Sequence, residues 1–256
     1  MKILIKQLKN KKARDESGLF VVEGEKFVNE IPFDWDILQY IVSETFSKNH
    51  DSTTWRARAA YEIVKDSIFE SMSATVSPQG ILAVCRQRHY ILEDVLAQND
   101  AKCAHSFYLL GESLNDPGNI GTLIRTAAAA GASGIILTTN SGDIYNPKVL
   151  RASAGAALRI PIVTHVETSY AFDMLKNAGI PIFAAHPRGE ATPYDLDLCS
   201  AFCLLVGNET HGISDASAKA ATTLVTLPMA GEIESLNASA AGSILLYEAV
   251  RQRLIR

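Results

Sequence analysis

The chain has 256 residues, 47% of them apolar and 20% charged; this composition supports a packed core and excludes a chain disordered throughout. With 24 basic against 28 acidic side chains the formal net charge is −4, which excludes nucleic-acid binding through overall charge alone while leaving room for clustered cations. The longest uncharged apolar stretches, such as AAGSILLY at 240–247, fall well short of the roughly 18 residues that read as a membrane span.

The opening MKILIKQLKNKKAR has lysines every few positions, no long apolar run and no small-residue cleavage site. It does not read as a signal peptide, and the protein is expected in the cytoplasm, with no membrane partner. Lys2, Lys6, Lys9, Lys11, Lys12 and Arg14 all precede the first acid, Asp15; they form either a phosphate-touching edge or a solvated helix face. Residues 1–93 then show a mixed α/β pattern. GLFVVEG (18–24), YIVSE (40–44) and GILAVCRQ (80–87) read as strands, and EKFVNEI (25–31) as a short helix, with a Ser77–Pro78 turn before the last strand. DVLAQNDAKCA, residues 94–104, is polar and less periodic, and is taken as a linker. The four cysteines, Cys85, Cys103, Cys199 and Cys203, have no CxxC spacing, so buried free thiols are expected and neither a zinc site nor a disulfide scaffold.

From residue 105 to 256 six apolar runs alternate with helical or loop segments: FYLLG (107–111), GIILTT (134–139), IPIVTH (160–165), IPIFAAH (180–186), FCLLVGN (202–208) and TLVTLP (223–228). Runs without polar alternation must be buried on both faces, so an α/β fold with a mostly parallel sheet flanked by helices is expected. Ligands in such sheets bind beyond the carboxyl ends of the strands. No GxGxxG follows the first strand of this region, and no GxxxxGK[ST] occurs in the chain; dinucleotide oxidoreductases, P-loop NTPases and glycine-loop methyltransferases are thereby set aside.

Three polar loops follow strand ends. In NDPGNIGTLIRTAAAAG (115–131), Asp116, Pro117 and Gly118 make a turn, Asn119 is expected to cap the next helix, and Arg125 stands six positions on, where its guanidinium either grips a phosphate or carboxylate or makes a surface salt bridge. In LLVGNETHGIS (204–214), Gly207 permits close backbone approach or a tight turn, Glu209 follows, His211 reads as a solvated loop residue, and Gly212 opens a short helical stretch expected near Ile213. In PMAGEIESLNASAAGSILLYEAV (228–250), Ser235 or Asn237 is a good N-cap for the last helix, which leaves the other polar group and Glu234 unexplained.

Taken in this order, NDPGNIGTLIRTA, GNETHGIS and LPMAGEIESLNASAA resemble the three signature motifs of the SpoU (TrmH-type) RNA ribose 2′-O-methyltransferases of the SPOUT superfamily, a resemblance covering about residues 105–256. LFVVEGEKFVNE and SPQGILAV resemble, more weakly, the small L30e-like substrate-binding domain of members that modify rRNA. The resemblance implies a deep trefoil knot in the C-terminal domain, S-adenosylmethionine as cofactor with no metal, a homodimer with sites near the subunit interface, and RNA, in particular rRNA, as substrate. It assigns Gly207, Leu227 and Leu236, with Gly212 and Met229 beside them, to the cofactor site. Asn119, Arg125, Glu209, Ser235 and Asn237 match the polar positions associated with catalysis. Two positions depart from the pattern: Thr210 stands where glycine is common, and Glu232 where many relatives carry glycine or another small residue. The competing expectations are a non-catalytic RNA-binding or ribosome-assembly factor of the same fold, a tRNA ribose methyltransferase, and a small-molecule α/β enzyme using another nucleotide cofactor.

Overall fold

The computed structural model describes residues 2–50, 55, 58–97, 106–231 and 235–255. The chain divides into two compact units, Met1–Arg88 with Asp143–Leu158, and His89–Gly142 with Arg159–Arg256.

The first unit is built on a four-stranded sheet of β1 (Leu19–Glu23), β2 (Ile37–Ser43), β3 (Ala60–Val64) and β4 (Ile81–Arg86) in the order β1-β4-β2-β3. β4 runs antiparallel to both β1 and β2, and β3 pairs parallel with β2. Lying between two neighbours, β4 buries every residue from Ile81 to Cys85, whereas the edge strand β3 buries only Val64. Ile5, Leu8, Phe69 and Met72 pack with Leu82 and Val84 in its core. The segment from the later part of the chain is tied in by polar and aromatic contacts. Arg14, 2% exposed, donates to Asp143 Oδ2 through Nε at 2.8 Å and pairs with it through Nη2 at 2.6 Å, while its Nη1 donates to the Leu8 carbonyl at 2.7 Å. Tyr145 lies 4.4 Å, ring to ring, from Phe20, and its hydroxyl both accepts from Arg88 N and donates to Arg88 O.

The second unit contains β5 (Phe107–Gly111), β6 (Gly134–Thr138), β7 (Ile162–Val166), β8 (Ile182–Ala185), β9 (Phe202–Val206) and β10 (Thr223–Val225). All described pairings are parallel, in the order β10-β8-β9-β5-β6-β7. Because side chains alternate across a strand, Tyr108, Leu110, Cys203 and Leu205 face one layer, where they meet Leu92, Val95, Phe172 and Leu175 from helices Leu92–Ala97 and Thr168–Asn177. Phe107, Phe202 and Val206 have the opposite parity. Arg253 of helix Ala238–Ile255 lies over Phe107 and Phe202, and Gly242 of that helix sits between Leu123 and Val206, so helices Pro117–Ala130 and Ala238–Ile255 cover the second face. Gly242 is needed there: a Cβ would come within 2.6 Å of Leu123 Cδ2.

Helix Leu92–Ala97 belongs to this core, so the stretch read as a linker from Asp94 is helical as far as Ala97. Cys103 and the rest of that stretch lie outside the described residues. Burial pushes the Cys85 thiol up to about 12 and raises the Cys203 thiol as well, leaving both protonated and inert. Among the described residues no helix is long and apolar enough to cross a membrane, and no group of three or more His, Cys, Asp or Glu side chains is placed to hold a metal ion.

Candidate active site

Three carboxyl strand ends of the second unit surround a cleft of about 360 Å³. Residues 185–188 follow β8, residues 206–213 follow β9, and Val225–Leu227 with Met229 follow β10. Ser235, Leu236, Ala238, Ala241 and Leu245 close it from the start of the last helix. This is where an open α/β sheet presents its ligand crevice. Of the residues singled out in the sequence, Gly207, Glu209, Gly212, Leu227, Met229, Ser235 and Leu236 line the cleft; Asn119, Arg125 and Asn237 do not. Glu232, Ile233 and Glu234 lie outside the described residues.

The loop after β9 folds back on itself. Asn208 and Gly212 exchange backbone hydrogen bonds at 2.9 Å, and Asn208 Oδ1 accepts from Thr210 N and His211 N at 2.9 and 3.1 Å. Gly207 is required by this turn: a Cβ on it would lie 2.2 Å from the Gly212 carbonyl carbon and 2.3 Å from Ile213 N. Gly212 itself has φ +70°, a left-handed conformation open to glycine at little cost. Thr210 keeps a negative φ, so the side chain standing where glycine is common meets no backbone strain. His211 is exposed on the cleft wall. The helical stretch expected near Ile213 begins at Asp215 instead, because Ser214 Oγ accepts from Ser217 N and serves as its cap. Ser214 is held in turn by the buried Glu112, which accepts from Ser214 N, Ser214 Oγ and Ser217 Oγ at 3.1, 2.8 and 2.8 Å.

Glu209 is the hub of the polar network. Its Oε1 accepts from Asp116 N at 3.1 Å and Asn119 Nδ2 at 3.2 Å, and its Oε2 from Asn115 N at 3.3 Å and Asn208 Nδ2 at 3.4 Å. A carboxylate with four donors holds the first and second loops together and has no bond to Arg125. Asn119 is not the helix cap. That role falls to Asp116, whose Oδ1 accepts from Asn119 N at 2.8 Å, with Pro117 in the first turn. The Asn119 side chain is thereby free to turn inward, where its Oδ1 accepts from Asn237 Nδ2 at 3.0 Å and lies 3.0 Å from Ser239 Oγ. Asn237 rather than Ser235 caps the last helix, its Oδ1 accepting from Ser239 N and Ala240 N at 2.9 and 3.2 Å. Glu209, Asn119 and Asn237 therefore form one chain of side-chain bonds linking all three loops, and Ser235 is left exposed on the cleft wall.

Arg125 is exposed on helix Pro117–Ala130 and makes no ion pair among the described residues. Its neighbour Thr126 meets Ser243 of the last helix at 3.0 Å. Sequence reasoning missed Asn208, Glu112, Ser239 and the His186–Arg188 turn. Asn208 and Glu112 carried a usable signal, since each is the polar residue that ends an uninterrupted apolar run.

The cleft combines apolar residues Val206, Ile213, Leu227 and Leu245 with the polar residues of the β9 loop and Ser235. Such a site suits a flat, partly polar ligand of nucleoside size. Residues 106–247 match the model of the SpoU rRNA Methylase family, and residues 3–83 that of the MRM3-like substrate binding domain. The chain is 32% identical over 242 residues to the 23S rRNA (guanosine(2553)-2′-O)-methyltransferase RlmP of Bacillus subtilis, covering 94% of this chain and 92% of that one. The solved structure of an AdoMet-bound rRNA methyltransferase from Sinorhizobium meliloti superposes with a TM-score of 0.86 at 31% identity, covering 98% of this chain and 94% of that chain. The SpoU methyltransferase AviRb from Streptomyces viridochromogenes, in complex with AdoMet, does so with a TM-score of 0.86 at 26% identity, over 99% and 97% of the two chains. With the family model matching more than half of its residues, this chain belongs to the SpoU rRNA methylase family.

Proposed function

We propose that the protein transfers a methyl group from S-adenosylmethionine to a ribose 2′-hydroxyl of rRNA. The observation that carries this reading is the meeting of three loops from distant parts of the chain around one cleft, tied together by Glu209, Asn119 and Asn237. S-adenosylmethionine supplies a methyl group on a positively charged sulfur, already activated for displacement. The residues present fit it: Leu227, Leu236, Met229 and Ile213 offer apolar surface for a nucleoside, and Gly207 and Gly212 leave two positions of the lining without side chains, where a ligand can approach the backbone. What remains for the protein is alignment of the hydroxyl and stabilisation of the charge it develops.

In this reading the Glu209–Asn119–Asn237 chain fixes the loop positions, and Ser235 on the cleft wall positions the ribose. Arg125 binds an RNA phosphate and stabilises the developing alkoxide. A guanidinium, with an ordinary pKa of roughly 12.5–13.8, is suited to that electrostatic role rather than to removing a proton. Arg125 lies outside the cleft of its own chain but beside an exposed stripe of the last helix, Ile244, Tyr247, Leu254 and Ile255. A homodimer formed through that stripe brings Arg125 to a subunit interface, as the family resemblance implies. The deep knot belongs to the same proposal, supported by a last helix that returns to pack on β9 and on helix Pro117–Ala130. The first unit reads the rRNA, and the protein acts in the cytoplasm.

The test is to map 2′-O-methyl groups in RNA from cells with and without the gene. Loss of one rRNA site on deletion is expected. An unchanged rRNA pattern with a lost tRNA site would move the substrate to tRNA, and no change in either would contradict the proposal.

A further inference from the structure

Two open depressions of the first unit meet at Lys9. One, of about 690 Å³, runs along the N-terminal helices past Lys6, Lys9 and Lys12. The other, of about 380 Å³, lies between Lys9, the turn Ser73–Val76 and helix Pro147–Ala152, with Lys148 and Arg151 on its wall. Five cations thus border two depressions that share Lys9, together referred to as a trough, in a chain whose formal net charge is −4.

The carboxylates nearby do not neutralise it. Among the described lining residues the one acid is Glu16, which is shared with Lys12 at 3.8 Å. Glu23, beneath the turn, is already engaged, accepting from Ser73 Oγ and, at 2.8 Å each, from Ala74 N and Thr75 Oγ1. Its role is to hold the turn in shape. Lys9 donates to the Ser73 carbonyl, which fixes its ammonium at the junction of the depressions and leaves it further donors. Lys6, Lys148 and Arg151 enter no ion pair among the described residues. Like charges gathered along a trough repel one another, and a polyanion relieves that repulsion.

We infer that this trough holds the ribose-phosphate backbone of the RNA substrate, contacting phosphates rather than reading bases; the inference rests on the proposed RNA-modifying activity. Such contacts set register and orientation without carrying sequence information. Their source in the chain is divided. Lys6, Lys9 and Lys12 fall in the stretch matching a substrate-binding domain, whereas Lys148 and Arg151 fall in the stretch matching the methylase domain yet belong to the first unit. The RNA grip is therefore composite in sequence and single in space.

The test is fluorescence anisotropy of the full chain with labelled 23S rRNA transcripts across a series of KCl concentrations. The double variant Lys148→Gln/Arg151→Gln is compared with Lys176→Gln/Lys219→Gln, which removes two cations of the second unit. Calorimetry with S-adenosylmethionine on each protein separates weakened RNA binding from a damaged fold. The expected result is about tenfold weaker RNA binding for the first variant and a salt slope reduced by roughly 1.4–1.8 for the two phosphates no longer neutralised, with cofactor affinity unchanged. Lys6→Gln/Lys12→Gln, on the other depression, is expected to do the same and serves if the first variant misfolds. Equal losses in the Lys176/Lys219 variant, or an unchanged slope in both trough variants while the wild type still methylates rRNA, would overturn the trough and leave the activity standing. A wild type that binds no RNA would overturn both.

Discussion

A methyl group at Gly207 would sit 2.2 Å from the carbonyl carbon of Gly212, closer than non-bonded atoms approach. Gly207→Ala must therefore open the β9 loop that forms one wall of the cleft. Overpacking of this kind costs about 1–3 kcal/mol, and because the strain falls on the wall we expect S-adenosylmethionine affinity to drop at least tenfold by calorimetry, with the fold retained by circular dichroism. Arg125 makes the opposite case. It is exposed and unpaired among the described residues, so Arg125→Ala leaves cofactor affinity and melting temperature near those of the wild type and abolishes methyl transfer. A variant transferring at the wild-type rate would remove Arg125 from the chemistry. At this scale the sequence singled out three loops that meet in the structure, but not the bonds between them. Asp116 and Asn119 are both competent caps three residues apart, and only the fold decides that Asp116 caps while Asn119 joins Glu209 and Asn237. Those partners lie about ninety or more positions away, a separation over which local pattern carries no information.

Elements were legible in proportion to their burial. The four central strands of the second sheet, β5, β6, β8 and β9, are almost wholly buried, and near-continuous apolar composition marks them, whereas the edge strands β7 and β10 carry polar residues and were read from the apolar residues beside those. β3, AYEIV, escaped notice because it is an edge strand with only Val64 buried, so neither a continuous apolar run nor a clean alternation appears. The strand order, with β9 between β5 and β8, is likewise invisible in a succession of runs. Helix Ala238–Ile255 carries apolar residues on two different faces. One packs on β9 and helix Pro117–Ala130 through Leu245, Leu246 and Ala249, and the other leaves Ile244 and Tyr247 about half exposed. If the proposed dimer forms through this stripe, replacing both by glutamate, Ile244→Glu/Tyr247→Glu, which touches no part of the cleft, should convert a dimeric wild type to monomer in sedimentation, with methyl transfer lost and cofactor binding kept. A variant that remains dimeric would refute the stripe as the interface.

For the whole molecule, the division into units does not follow the order of the chain. Asp143–Leu158 lies between strands of the second sheet in sequence yet belongs to the first unit, where Asp143 pairs with the buried Arg14 and Tyr145 packs on Phe20. Chain continuity argued the other way, and no local signal marked the excursion. Removing residues 1–90 is accordingly not a clean excision, since it strips the partners of Asp143 and Tyr145. Asp143→Ala leaves the Arg14 guanidinium buried without its carboxylate, a change that typically costs about 3–5 kcal/mol; a two-step thermal transition is expected, with the first unit melting earlier and the cofactor-bound second unit unaffected. The central claim concerns the bond that the protein makes. Purified protein, S-adenosylmethionine with a labelled methyl group and unmodified rRNA should yield label in a dinucleotide that resists alkaline cleavage, because a methylated 2′-oxygen cannot attack the adjoining phosphate. Label recovered on a base, or no label at all from protein that binds both substrates, would contradict the account.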